Sequence, residues 1–418
     1  MSPHPTSQGR LAPGVGFLAI LSATLGILNA QMFCVGFLAP FFSSELHVDN
    51  ARLGFMVAGF WLPYAVSSYF AAKLADRYQK RKTVLIVALP LLSIATAASG
   101  AATSFEWLLG ARILAGLCAG PVMPLAQSLV AIESPANRIG FNMGVVQSVG
   151  SGIVFIVMGP ALFVYVSEHV GWRAAFYLLA IPGTICAALV GWLVAEPRAA
   201  NKGIEESGGH LADMFGSLTF IACLLNSTFL MAYINLTVTF LPQVLIQSQR
   251  LSGAAVGGIL TMIGAAAATL GVLLPGLSDR IGRKPVLITA CGLGALTPLS
   301  ALFLPLGPVT QSIMLFVSWS AVAVAPLVFA TIPAGVVPQR SVSAAIGLNM
   351  AQANLLGGVL SPILAGAAAE TWGLRAPMFI LVVLAAGAAL VSLLMRETQQ
   401  ATGRAGLMSG PRAKAAMR

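Results

Sequence analysis

Again and again this chain runs for about twenty residues with hardly a charge, a length that crosses the ~30 Å hydrocarbon core of a bilayer as one helix. Only 9% of its 418 residues are Asp, Glu, Lys or Arg, and 57% are hydrophobic. A water-soluble domain carries about 25% charged residues. Charges this sparse cannot cover a surface facing water, so lipid must solvate most of the polypeptide. In lipid each backbone N–H and C=O must be satisfied within its own segment, which selects helices here. The runs predict spans at 14–42, 51–74, 83–102, 106–132, 139–166, 173–195, 213–246, 252–277, 285–304, 309–336, 342–369 and 375–395. The expected fold is therefore an all-α integral membrane protein with twelve transmembrane helices.

The formal net charge of +10 follows the loops. With both termini placed inside, that side holds 18 of the 23 Lys and Arg, among them Lys73, Arg77, Lys80, Arg81, Lys82, Arg280, Arg283 and Lys284. The other side holds four: Arg52, Arg173, Arg250 and Arg375. By the positive-inside rule both termini are expected in the cytoplasm, with the chain in the plasma (inner) membrane. No basic stripe with interleaved aromatics occurs, so nucleic acid is not an expected partner. Cys34, Cys118, Cys186, Cys223 and Cys291 lie singly in apolar runs and are expected to be packed, reduced thiols. The polar start, MSPHPTSQGR, does not have the form of a cleavable signal peptide.

The chain repeats itself. Leu74-Ala-Asp76-Arg77 recurs as Leu277-Ser-Asp279-Arg280, and Arg138 as Arg340. Gly171-Trp172-Arg173 returns loosely as Gly373-Leu374-Arg375, and Glu196 as Glu397. All four landmarks are displaced by 201–203 positions. That predicts two pseudo-symmetric six-helix bundles, 14–195 and 213–396, in parallel topology, a transporter plan with its site at the midplane. A polar, Gly-containing linker, 196–212, joins them. Tails at 1–13 and 397–418 complete the chain, and the basic last one is expected to be disordered.

At the loops after spans 2 and 8 the chain resembles the major facilitator superfamily, whose hallmark is G-x-L-a-D-R-x-G-R-K. The first copy stands as Ala72-Lys73-Leu74-Ala75-Asp76-Arg77-Tyr78-Gln79-Lys80-Arg81. The second, Gly276-Leu277-Ser278-Asp279-Arg280-Ile281-Gly282-Arg283-Lys284, stands closer to the pattern, with Gly282 at its second glycine. The resemblance implies the major facilitator fold, transport by alternating access, and a gating role for Asp76, Arg77, Arg81, Asp279, Arg280 and Arg283. The alternative is that these cations merely anchor topology.

Span 4 is similar to the anion:cation symporter branch, which reads R-x-x-x-G-x-x-E-G-P-x-x-P there. This chain reads Arg112-Ile-Leu-Ala-Gly116-Leu-Cys-Ala119-Gly120-Pro121-Val-Met-Pro124, with Ala119 in the acidic place. The branch's span 1 Asp-Arg pair is replaced by the uncharged stretch from Asn29 to Cys34. Gly159-Pro160 in span 5 is a faint echo of the exporters' G-x-x-x-G-P-x-x-G-G, with Phe155, Phe163 and Val164 at its flanking glycines.

Arg112 is the one cation inside a span. A guanidinium in hydrocarbon costs at least a few kcal/mol on insertion scales, so it must face the bundle interior or a wet cavity. It is either a bidentate clamp for a carboxylate substrate or an arginine snorkelling to the interface or bonded to carbonyls. Mid-span polar residues outline a candidate site around it: Asn29, Gln31, Gln147, Tyr233, Asn235, Asn349 and Gln352. Interhelical hydrogen-bonding is the competing role for each. Trp61, Tyr64 and Trp319 are the aromatics placed to stack on a ring, or simply to fill the core.

No Asp or Glu falls in mid-span, and the four histidines lie in the tail or loops. Proton coupling would then run through Arg112 and the substrate's own carboxylate, or the protein is a uniporter or exchanger. The expected function is secondary transport of a small organic anion, such as an aromatic or sugar-derived acid, with protons as candidate co-substrate. Efflux of hydrophobic or drug-like compounds is the main alternative, and a non-transporting sensor or scaffold is another. No Walker loop, zinc motif or nucleophile elbow is present, so neither enzyme activity nor a cofactor or metal is expected. The partners expected are the substrate and the bilayer, with the chain acting as a monomer.

Overall fold

The structure is a computed structural model. It describes residues 14–396 apart from 79, 135–138, 158, 195, 197–214, 305–306 and 338–341. Side chains are further left undescribed at 69, 71–78, 131, 139–141, 148–151, 156–157, 279, 334 and 342–344. The linker after Glu196, both tails, Arg138, Arg340 and the side chains of Asp76, Arg77 and Asp279 thus lie outside the described residues.

All regular structure among the described residues is helical. The spans are α1 (Val15–Phe42), α2 (Asn50–Tyr78), α3 (Arg81–Gly100), α4 (Phe105–Val130), α5 (Asn142–His169), α6 (Trp172–Leu193), α7 (Leu218–Ser248), α8 (Gly253–Ile281), α9 (Arg283–Phe303), α10 (Pro308–Thr331), α11 (Ala345–Trp372) and α12 (Ala376–Leu394). Eleven meet the length and apolarity of a membrane crossing, and α2, 29 residues long, is the twelfth. Observed ends fall within a few residues of those expected from hydropathy. Several spans are not uniform rods. Widened π-helical turns interrupt α5 at Val145–Gly150 and α11 at Ala353–Leu360. In α5 the chain leaves the helix at Gly159 and restarts with Pro160 in the first turn, where its missing N–H is no loss.

The repeat is visible atom by atom. Lys82 Nζ donates to the Gly191 carbonyl at 2.7 Å, and Lys284 Nζ donates to the Leu393 carbonyl at 2.6 Å. Each lysine thus ties the third helix of its half to the sixth. His47 and Arg250, which follow the first helix of each half, both take positive φ (51° and 56°). Gly171 and Gly373, just before or near the last helix of each half, do so too (107° and 84°). These pairs are displaced by 202 or 203 positions, the offset found in the sequence.

The hallmark loops differ by one residue. Between α8 and α9 a single residue, Gly282, makes the turn at φ 102°, ψ 147°. Only glycine adopts that conformation cheaply. Between α2, which ends at Tyr78, and α3, which starts at Arg81, the gap is two residues wide. Arg81, at the start of α3, thus matches Arg283 at the start of α9 rather than Lys284. Both arginines are buried. Gly282→Ala is expected to destabilise the protein by about 1–3 kcal/mol, seen as a lower thermal midpoint in detergent, because alanine is forced into that region. A one-residue insertion beside it should relieve the loss.

The halves meet most closely in the part of the membrane away from the termini, here called the far face. Gly54 of α2 stands against the Pro362 carbonyl of α11, too close for any added Cβ. Its counterpart Gly257 of α8 stands against Ala161 of α5, where a Cβ would come within 2.9 Å of the backbone. Gly36 of α1 is packed in the same way on Val238 of α7.

Candidate functional site

Arg112 sits at the centre of the N-terminal half because of how α4 is built. Ser104 caps the helix by accepting from the Trp107 N–H at 3.2 Å. Beyond it, Ala111, Arg112, Ala115, Gly116 and Ala119 share one buried face. This stripe of small residues lets α4 approach α2 until the Phe60 backbone touches Gly116. The guanidinium is thereby laid over the Phe60 ring, its carbon 4.7 Å from the centroid, at cation–π range.

Its other contacts are few. One Nη donates to the Gln31 carbonyl at 3.0 Å and the other points at Cys34 Sγ, 3.6 Å away. The Cys34 thiol itself donates to the Gln31 carbonyl. The Nε–H, fully buried, has no partner. Arg112 is 1% exposed and takes part in none of the ion pairs among the described residues. It neither snorkels to the interface nor meets a carboxylate of its own protein. Five donors are available on a guanidinium, and an unpaired buried donor costs about 1–3 kcal/mol. The site is short of negative charge and of acceptors.

Arg112 borders a cavity of about 10 Å³ between the halves. Met32, Phe33 and Gly36 of α1 line it, with Met56, Phe60 and Trp61 of α2 and Asn235, Val238 and Thr239 of α7. That volume admits one water and no solute. The walls are aromatic and thioether surface, with one cation on the N-terminal side and an amide and a hydroxyl facing it from the C-terminal side. Such a lining offers ring faces, one cation and two neutral polar groups.

Of the residues singled out in the sequence, Arg112, Asn235 and Trp61 line this cavity. Asn235 is held by its own helix, Nδ2 donating to the Met231 carbonyl at 2.9 Å. Asn29 lies one turn along α1 from Met32 and Phe33, half-buried and without a hydrogen bond. Tyr64 lies one turn along α2 from Trp61, buried, its hydroxyl 3.7 Å from Met123 Sδ. Gln147 is half-buried on the π-helical turn of α5.

The remaining four turn their side chains elsewhere. Gln31 donates to the Leu179 carbonyl of α6 at 2.8 Å, leaving only its backbone to Arg112. Tyr233 donates to the Gly294 carbonyl of α9 at 2.7 Å. Asn349 donates to the Val328 carbonyl of α10 and accepts from Ser227 of α7. Gln352 bridges to Leu224, Ser227 and Thr228 of α7. In this conformation these are ties between helices. Among the gating candidates, Arg81 and Arg283 are buried at the termini face and Arg280 is exposed. Phe33, Phe60, Met32 and Met56 were not distinguishable in the sequence from ordinary core. The four-residue spacing of Met32 and Gly36, and of Met56 and Phe60, says which share a face, but not that the face borders a cavity.

Two matched six-helix halves meeting around a cavity with one uncompensated charge define the class: a multi-pass membrane transporter. The chain belongs to the Major Facilitator Superfamily, whose family profile matches residues 19–334. Among similar proteins is the tetracenomycin C resistance and export protein of Streptomyces glaucescens, 28% identical over 211 residues, 49% of this chain and 36% of that protein. Quinolone resistance protein NorA of Staphylococcus aureus is 28% identical over 163 residues, 39% of this chain and 41% of that protein. The chain thus spans about two fifths of the length of these curated relatives. Two solved structures share the fold. The nucleoside transporter NupG gives a TM-score of 0.73 at 16% identity, covering 90% of this chain and 96% of that one. A D-xylose–proton symporter gives 0.72 at 20%, covering 92% and 98%.

Proposed function

We propose that this transporter carries a small organic anion, an aromatic or sugar-derived carboxylate, by alternating access between the bundles 14–195 and 213–396. The observation that carries it is Arg112, a buried cation beside the inter-half cavity with an unused donor and no acidic partner. A carboxylate entering there completes the guanidinium's hydrogen bonds and neutralises its charge, a bidentate match. Phe60 and Trp61 offer ring faces to an aromatic body, and Asn235 and Thr239 offer polar contacts. Asn29, Tyr64 and Gln147 border the path toward the termini face, while Gln31, Tyr233, Asn349 and Gln352 hold its walls. The likeness of α4 to the anion:cation symporter branch supports the same reading. So does the distribution of Lys and Arg for an inner membrane with cytoplasmic termini, where Asp76, Arg77, Arg81, Asp279, Arg280 and Arg283 form the inner gate. With no mid-span carboxylate in the sequence, a co-transported proton would ride on the substrate's own carboxylate or be absent.

The test is uptake into proteoliposomes across paired aromatic and aliphatic acids and their uncharged amides. Acids are expected to be carried and amides not. Phe60→Ala is expected to weaken aromatic acids by about 2–13-fold, the worth of an aromatic ring pair at about 0.5–1.5 kcal/mol, and aliphatic acids less. Equal transport of acids and amides counts against the proposal. A second reading, efflux of apolar drug-like compounds, is favoured by the aromatic and methionine lining and by the two relatives, one an export protein and the other a quinolone resistance protein. It predicts drug hypersensitivity when the protein is lost, with no dependence on a carboxylate.

A further inference from the structure

At the far face each half ends one helix against the start of a helix in the other, once through a hydrogen bond and once through a close approach. Asn50 opens α2, and its backbone N–H donates to Glu370 Oε1 at 2.7 Å. Glu370 lies in the last turn of α11, in the opposite half. The residue displaced from it by 202 positions is also a glutamate, Glu168, in the last turn of α5. Its carboxylate lies against Gly253, the first residue of α8, in the space where any side chain at 253 would point. Ser252 caps that same helix end.

Each glutamate is badly placed on its own helix. A carboxylate in a last turn faces the negative end of the helix dipole, and the start of another helix is where a negative charge gains. Glu168 and Glu370 reach such a start only across the interface between halves. Their gain therefore exists only while the far face is closed, and parting the halves leaves each charge at the unfavourable end of its own helix. The close Gly54–Pro362 and Gly257–Ala161 contacts bring the same two helix pairs together just below.

We propose that Glu168 and Glu370 are matched latches that hold the far face shut and set the balance between the two access states of the transport cycle. The proposal rests on the alternating-access reading and is independent of the cargo. In liposomes, spin labels at Thr103→Cys and Val309→Cys, exposed at the far ends of opposite halves, report closed and open distances by pulsed EPR. Glu168→Gln and Glu370→Gln are each expected to lower the closed-to-open ratio about 2–5-fold, as a dipole interaction of an exposed charge implies. The double variant should multiply the two effects, since the sites are far apart. High salt should lower the ratio in wild type and leave the double variant unmoved. A ratio unchanged in the double variant overturns the latch. Should either variant fail to fold, a wild-type ratio indifferent to salt overturns it equally. A wild type that holds one distance with and without added acids overturns alternating access and the latch with it.

Discussion

Arg112→Met is expected to cut carboxylate transport by about 10–150-fold while leaving the protein folded. The loss is that of a charge-assisted hydrogen-bond partner, about 1.5–3 kcal/mol. Methionine fills much of the space of the arginine stem and lies well against Phe60, and Cys34 keeps its bond to the Gln31 carbonyl. In the empty protein the guanidinium holds one carbonyl, one sulfur and a ring face, and leaves Nε–H unpaired. Apolar replacement of a buried charge is often neutral or stabilising when the charge is poorly compensated. Thermal midpoint and transport should therefore part company. Arg112→Lys retains the charge without the fork and should fall between. An Arg112→Met protein that unfolds early would make the residue structural. One that still carries acids at the wild-type rate would remove the anion site altogether.

Much of the fold is legible in the order of the amino acids. Twelve apolar runs and an offset of 201–203 positions suffice for two six-helix halves, because lipid leaves the backbone few choices. The offset also relates the observed contact of Lys82 with Gly191 to that of Lys284 with Leu393. The site is legible only where chemistry is extreme. A cation in mid-membrane has to face something polar, so Arg112 stands out alone. Amides and hydroxyls do not, since a neighbouring helix satisfies them as well as a substrate does. Gln31 and Leu179 are 148 residues apart, and Asn349 and Ser227 are 122 apart. No local pattern reveals which helix each will find. The walls of the cavity are hidden for the opposite reason. Phe60, Phe33 and Met56 look like core because they are core, next to a small space. The hallmark loop shows a third limit. Gln79 in a glycine's place reads as a departure from pattern, while the extra residue between the helices of the first copy becomes visible only from the helix ends.

Gly116→Leu is expected to be the most damaging single change in the N-terminal half, disabling the site from a position that touches no cargo. An added Cβ at 116 meets the Phe60 carbonyl directly, with its carbon 3.0 Å and its Cα 3.1 Å away. These are backbone atoms in the middle of α2, and they cannot rotate aside as a flexible side chain would. One turn on, Gly120 is pressed just as hard on the backbone of Tyr64 and Ser68 and on the Ser67 hydroxyl, so α4 cannot pivot about that point to make room. Leucine at 116 must instead push the two helices apart. Overpacking of this kind costs about 1–3 kcal/mol, and more where nothing yields. Separation also lifts Arg112 from the Phe60 ring and opens the small-residue seam that excludes lipid from the site. The expected result is a lower thermal midpoint in detergent together with loss of transport for every substrate, in contrast to Arg112→Met. Gly110 supplies the control on the same helix. A Cβ there meets nothing within 4 Å, so Gly110→Leu should fold and transport as the wild type does. Equal behaviour of the two leucine variants would mean that the α2–α4 seam does not position the guanidinium.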